Sequence, residues 1–172
     1  MLHYTRYFAL FFALLAVMAG CEPEVEELEA DVSRVCLHGI ELPFTGQTNG
    51  QSDQAVNSQY DLGDLDLDTD ELAGATVMLD SMALSAGLGI DDFAFVDRIE
   101  VDLAAASQMP PARLAAFDQV GTTNPVRASG DPATDLSPYL QATGTEVEVA
   151  VFGDVPATPW TVLLDACLNV ER

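Results

Sequence analysis

The chain has no lysine, one tryptophan and two histidines among its 172 residues. Each shortage removes a class of function. Phosphate backbones are held by Lys and Arg, so six arginines against 28 acids exclude nucleic acid as a partner. One histidine, His3, lies at the very start, which leaves His38 alone in the body of the chain. No histidine pair is present for zinc, and no Gly-x-Ser-x-Gly turn for a serine nucleophile. With Trp160 as the single tryptophan and few other aromatics, a stacking platform for sugars is poorly supplied. No Gly-rich phosphate loop, no Cys-x-x-Cys and no 20–50-residue repeat is present.

What is there begins with a leader. Before Glu22 the chain carries no acid, only His3 and Arg6. An apolar run from Tyr7 to Val17 then closes on Ala19-Gly20. A basic start, an apolar centre and a small-residue end make a secretory signal. The run falls short of the roughly 20 apolar residues that a membrane-spanning helix needs. Val17-Met18-Ala19-Gly20-Cys21 resembles the lipobox of bacterial lipoproteins, with Met18 where the class usually has Leu. That resemblance implies cleavage before Cys21, lipidation of its thiol and acylation of the new amino terminus. Several acyl chains on one residue anchor stably where one holds only marginally. The expected address is a bacterial cell envelope, the outer membrane before the inner, with the domain in the periplasm or at the cell surface. The membrane is the partner through the lipid. A further envelope protein or glycan partner is left open.

Residues 1–20 therefore read as signal peptide, 21–31 as an acidic tether and 32–172 as one domain, long enough for a real core. All 28 acids follow Cys21, and the formal net charge is −22. Such a surface favours solubility and repels anionic lipid and nucleic acid. The 49% apolar content excludes disorder by composition.

Cys36 and Cys167 remain after the anchor, and an even remainder in a secreted chain suggests a disulfide. Val162, Leu164, Ala166, Leu168 and Val170 alternate as one apolar face, with Cys167 on the other. Val35 and Leu37 read as buried, with Cys36 outward beside Arg34 and His38. After Gly39 the buried set slips to Ile40, Leu42 and Phe44, as a bulge at Gly39 would cause. A Cys36–Cys167 bond between outward positions predicts that the first and last strands lie side by side. Two free thiols are the alternative.

Further strand patterns fall at Tyr60–Leu67, Ala75–Ala86, Phe93–Leu103, Arg113–Phe117, around Val126, at Glu146–Phe152 and at Trp160–Val170. Residues 45–59, rich in Gly, Gln, Asn and Ser, read as a loop. Ser137 and Pro138 predict a short helix near 137–142, with Ser137 as its N-cap, crossing between sheets. About seven to nine strands with Gly/Pro turns predict an all-β, antiparallel β-sandwich, immunoglobulin-like or jelly-roll-like in architecture only. Architecture does not fix function.

Asp64, Asp66, Asp68 and Asp70 are the candidate metal ligands, because a hard cation such as Ca²⁺ takes six to eight oxygens. An EF-hand loop starting at Asp64 fails, since Thr69 and Ala75 stand where Gly and an acid are required. The competing reading is a strand with Leu65 and Leu67 inward. Asp97, between Phe95 and Ile99 on an apolar face, predicts a bulge or an arginine partner. Asp91, Asp92 and Asp154 read as turn residues, His38 as a solvent-facing strand residue and Trp160 as a cap on the core.

No catalytic residue and no required cofactor is expected. The leading reading is a non-enzymatic, lipid-anchored module that presents a structural or binding β-sandwich outside the membrane. The alternatives are a Ca²⁺-dependent glycan- or protein-binding module, a small glycoside hydrolase using two carboxylates, and a carrier with an apolar cavity between the sheets.

Overall fold

A computed structural model describes residues 32–45, 55–64, 74–106 and 109–172. Eight strands and one short helix follow in order: β1 (Val32–Phe44), β2 (Ala55–Asp61), β3 (Thr76–Ala86), β4 (Val96–Ala105), β5 (Ala112–Asp118), β6 (Val126–Ser129), α1 (Ser137–Leu140), β7 (Thr145–Gly153) and β8 (Trp160–Glu171). They form two antiparallel four-stranded sheets, with order β1-β8-β3-β6 in the first and β2-β7-β4-β5 in the second. The predicted all-β sandwich is the fold.

The alternating patterns explain the layers. Val147, Val149 and Val151 on β7 and Ile99, Val101 and Leu103 on β4 are buried. They face Leu42 and Phe44 of β1, Val77 and Leu84 of β3, and Val162 and Leu164 of β8, all buried as well. Period-2 side chains send one face of each sheet inward and the other to solvent. Trp160 is 1% exposed, stacked on Phe44 at 4.3 Å between ring centroids and meeting Phe95 edge-on at 5.3 Å. The tryptophan is core, as expected.

β1 and β8 pair in two blocks, and the register shifts between Leu37 and Ile40. Gly39 sits there at φ 67°, a left-handed conformation that a residue with a Cβ adopts only at a cost. The slip in the buried set is thus a bulge. Val35 departs from expectation. It lies on the inward side but is 38% exposed, because the first half of β1 runs past the cover of the second sheet. Asp97 is likewise the bulged residue of β4, where the pairing with β7 shifts between Val96 and Arg98, and its side chain is exposed.

Three expectations need correction. The strand expected over Tyr60–Leu67 ends at Asp61, where Oδ1 accepts the Gly63 N–H at 2.8 Å and a 3-10 turn (Leu62–Asp64) follows. That strand also starts earlier, at Ala55, inside the segment read as loop; Val56 and Ser58 are its buried positions. The helix does form over Ser137–Leu140, but Ser137 is not its cap. Leu136 holds the cap position without a side-chain hydrogen bond, and Asp135 just before it anchors the helix start. Its carboxylate accepts the Ser137 N–H and hydroxyl, each at 2.9 Å, and the Val77 N–H at 3.1 Å. Burial pushes this carboxyl up, but the hydrogen bonds from Ser137 and Val77 outweigh it and hold Asp135 below the usual carboxylate range. Asp135 so ties the segment after β6 to the edge of β3.

The topology also sorts the ends. Val32 pairs with Glu171, and Phe44 with Trp160. The start of β1 and the end of the chain therefore share one end of the sandwich. The turns joining β3 to β4, β5 to β6 and β7 to β8 lie at the other.

Candidate functional site

The outward face of the first sheet carries a concavity, a groove of about 410 Å³. Registers show how it is built. Cys36, Cys167, Ser81 and Ser129 form one row across β1, β8, β3 and β6. Asp165, Ala83 and Arg127 form the next row, over β8, β3 and β6. With strands about 4.8 Å apart, Asp165 and Arg127 face each other from backbones about 10 Å apart. Ala83 lies between them with only a methyl group, so the floor stays low. The disulfide closes one side, and its Cα atoms are 4.1 Å apart.

The walls differ in charge. On the β1/β8 side, Asp165 Oδ1 accepts the Gly39 N–H at 2.8 Å, and His38 Nδ1 lies 3.5 Å from the same oxygen. The bulge at Gly39 thus fixes Asp165 and brings His38 to the rim, where its side chain is 73% exposed. On the β6 side stands Arg127, exposed and without a hydrogen bond or ion pair to any described residue. The contrast with the other strand arginines is sharp. Arg34 pairs with Asp80 at 2.6 Å, Arg98 with Glu100 at 3.2 Å, and Arg113 with Glu100 and Asp102. Hydrogen bonding to Asp102 outweighs burial, and with the nearby charges it raises the Arg113 pKa above the ordinary value. Arg98 also lies over the Phe152 ring at 4.0 Å. On the second sheet's outward face, acids and arginines therefore satisfy one another. On the first, Arg127 is held open over a groove.

The groove's polar lining offers a guanidinium, two serine hydroxyls, an imidazole and a single carboxylate, Asp165. The second carboxylate that acid–base glycoside hydrolysis needs does not line it. Between the sheets lies an apolar space of about 40 Å³, lined by Leu, Ile, Val, Met and Ala side chains. That space is too small for a lipid or another sizeable apolar ligand.

Among the residues singled out from sequence, Cys36 and Cys167 are brought together as expected, both on the groove's face. Cys21 lies outside the described residues, as do Asp66, Asp68 and Asp70. Asp64 ends the 3-10 turn after β2. Among the described residues no group of three or more His, Cys, Asp or Glu converges as a metal site. Sequence reasoning missed Arg127, Ser81, Ser129 and Asp165 as a set. They come from four segments that only the strand order places side by side. No local signal marked them, since Asp131 follows Arg127 by four residues and could have passed for its partner.

No family model matches the chain, and no curated protein matches it. Among solved structures, the family 32 carbohydrate-binding module of C. perfringens NanJ, solved with galactose, aligns over 79% of this chain and 93% of its own, with 10% identity and a TM-score of 0.39. A structure described as "CBM4 structure and function" covers 76% of this chain and 94% of its own, with 13% identity and a TM-score of 0.31.

Proposed function

We propose that this chain is a lipid-anchored envelope protein whose β-sandwich is a non-catalytic binding module, with the groove on the outward face of the first sheet as its binding surface. The observation that carries the binding surface is Arg127. In a molecule of net charge −22, acids for pairing are plentiful, yet this guanidinium stands unpaired over a concavity. The anchor is supported by the leader and by Val17–Cys21. Ten residues separate Cys21 from the start of β1, a span of at most about 40 Å for an extended chain. The acidic tether holds the near end of the sandwich off an anionic surface by repulsion.

Two measurements test the two halves. Mass analysis of the native protein is expected to show a chain starting at Cys21 and carrying acyl chains; a free thiol or an uncut leader removes the anchor. Retention of the purified protein on a panel of acidic and neutral envelope polysaccharides tests the module, and retention on none of them counts against it.

A further inference from the structure

The lining of the groove specifies the chemistry of its occupant more narrowly than "a glycan". We infer that it takes one carboxylate-bearing sugar, a single uronic acid unit rather than a run of them, since a net charge of −22 repels a polyanion, with the carboxylate on Arg127 and ring hydroxyls on Asp165, His38, Ser81 and Ser129. This rests on the reading of the groove as the binding surface and deepens it.

A neutral sugar gains much of its affinity by stacking on an aromatic face. No aromatic side chain lines this groove, and Trp160 is sealed in the core. Binding here must draw on charge. The one fixed cation of the lining is Arg127, whose planar fork matches a carboxylate in a bidentate pair. Its field is not cancelled locally, since the nearest acid of its cross-strand row, Asp165, stands two strands away. The next acid on this face, Asp80, is already engaged by Arg34 at 2.6 Å and by the Ser81 hydroxyl at 3.1 Å.

A peptide terminus also carries a carboxylate, but peptides gain most from adding a strand to a sheet edge. The groove's floor lies on β8 and β3, whose backbone groups are committed on both sides; its one open edge is β6, only four residues long and too short to seat a peptide strand firmly. What it offers instead are hydroxyls, a carboxylate and an imidazole, suited to the hydroxyls of a ring. Asp165 is the acceptor on that side; the Gly39 N–H fixes its position at 2.8 Å.

The test uses the full mature chain in detergent with the disulfide intact. Three probes are titrated and followed by backbone amide shifts: the methyl glycoside of galacturonic acid, its neutral methyl ester, and a short peptide with a free carboxy terminus. The inference expects the acid saccharide to shift the amides of Ala83, Arg127 and Asp165. It expects the ester and Arg127→Gln each to weaken binding by about 10- to 100-fold, the scale of a charge-assisted hydrogen-bonded pair. Arg127→Lys, which keeps charge but not the fork, should fall between. Asp165→Asn should weaken the ester as much as the acid. Equal binding of acid and ester in the groove overturns the uronate inference while leaving the binding surface in place. Binding of the peptide in preference to the saccharide does the same. Shifts that cluster elsewhere, or none with any probe, overturn both.

Discussion

Removing the Cys36–Cys167 bridge should cost about 5 kcal/mol, most of it through the unfolded chain. The two residues are 131 apart in sequence and directly opposite in the β1–β8 ladder. Closing a loop of that length lowers the entropy of the unfolded ensemble by an amount equivalent to ~5 kcal/mol at 25 °C. The native side contributes little, because Cys36 is exposed and Cys167 half-buried on the outward face. The double variant Cys36→Ala/Cys167→Ala therefore isolates the cross-link better than a single variant, which leaves a free thiol. Measured by urea denaturation in one detergent, the variant should lose about 5 kcal/mol. Its m-value should rise, since an uncrosslinked unfolded chain exposes more surface. The melting temperature should drop by on the order of 10–20 °C. A loss below about 1 kcal/mol with an unchanged m-value refutes the reasoning, as it means that the unfolded chain is not restrained by the bridge.

Three further outcomes follow from local packing. Gly130→Ala should destabilise by about 3 kcal/mol in the same assay, because a Cβ there would run into the Leu79 carbonyl, and the Gly130 N–H already donates to Asp80 O at 3.1 Å. Ser58→Ala should be neutral or stabilising by up to about 1 kcal/mol, since the Ser58 hydroxyl is buried in the core face of β2 without a hydrogen-bond partner; a loss above 1 kcal/mol would reveal a partner. Asp135→Ala should cost about 1–2 kcal/mol, the scale of losing its hydrogen bonds from Ser137 and Val77. Because the folded Asp135 carboxyl titrates below its unfolded value, its contribution is complete above about pH 4 and fades as pH falls through the folded value. The variant's stability should accordingly fall less steeply below pH 4 than that of the wild type, and parallel acid profiles would contradict the assignment.

Much of the fold was legible because burial on one face writes itself as alternation. Glu146–Phe152 and Trp160–Val170 carry that pattern and became β7 and β8. Even defects were readable: the slip after Gly39 and the acid at position 97 both marked bulges. β2 was not legible, because an edge strand facing solvent on one side needs few apolar residues. Val56 and Ser58 are its fully buried positions, and the rest reads as a polar loop. The residue that anchors the helix start was misplaced for a related reason. Ser137 and Asp135 are both good cap residues, and only the proximity of β3 lets Asp135 bind Val77 as well. The groove was hidden for a topological reason. His38, Ser81, Arg127 and Asp165 belong to strands that are distant in sequence, and the order β1-β8-β3-β6 that gathers them leaves no local mark.

The most direct test of the binding face compares two bulky substitutions on opposite outward surfaces. Ala83→Trp fills the floor of the groove on the first sheet; Ala150→Trp adds the same bulk to β7 on the second, and both positions are half-buried and outward-facing. Against a polysaccharide that retains the wild type, Ala83→Trp is expected to abolish retention and Ala150→Trp to leave it intact. Loss with Ala150→Trp and retention with Ala83→Trp, in two variants that melt like the wild type, would place the working surface on the other sheet.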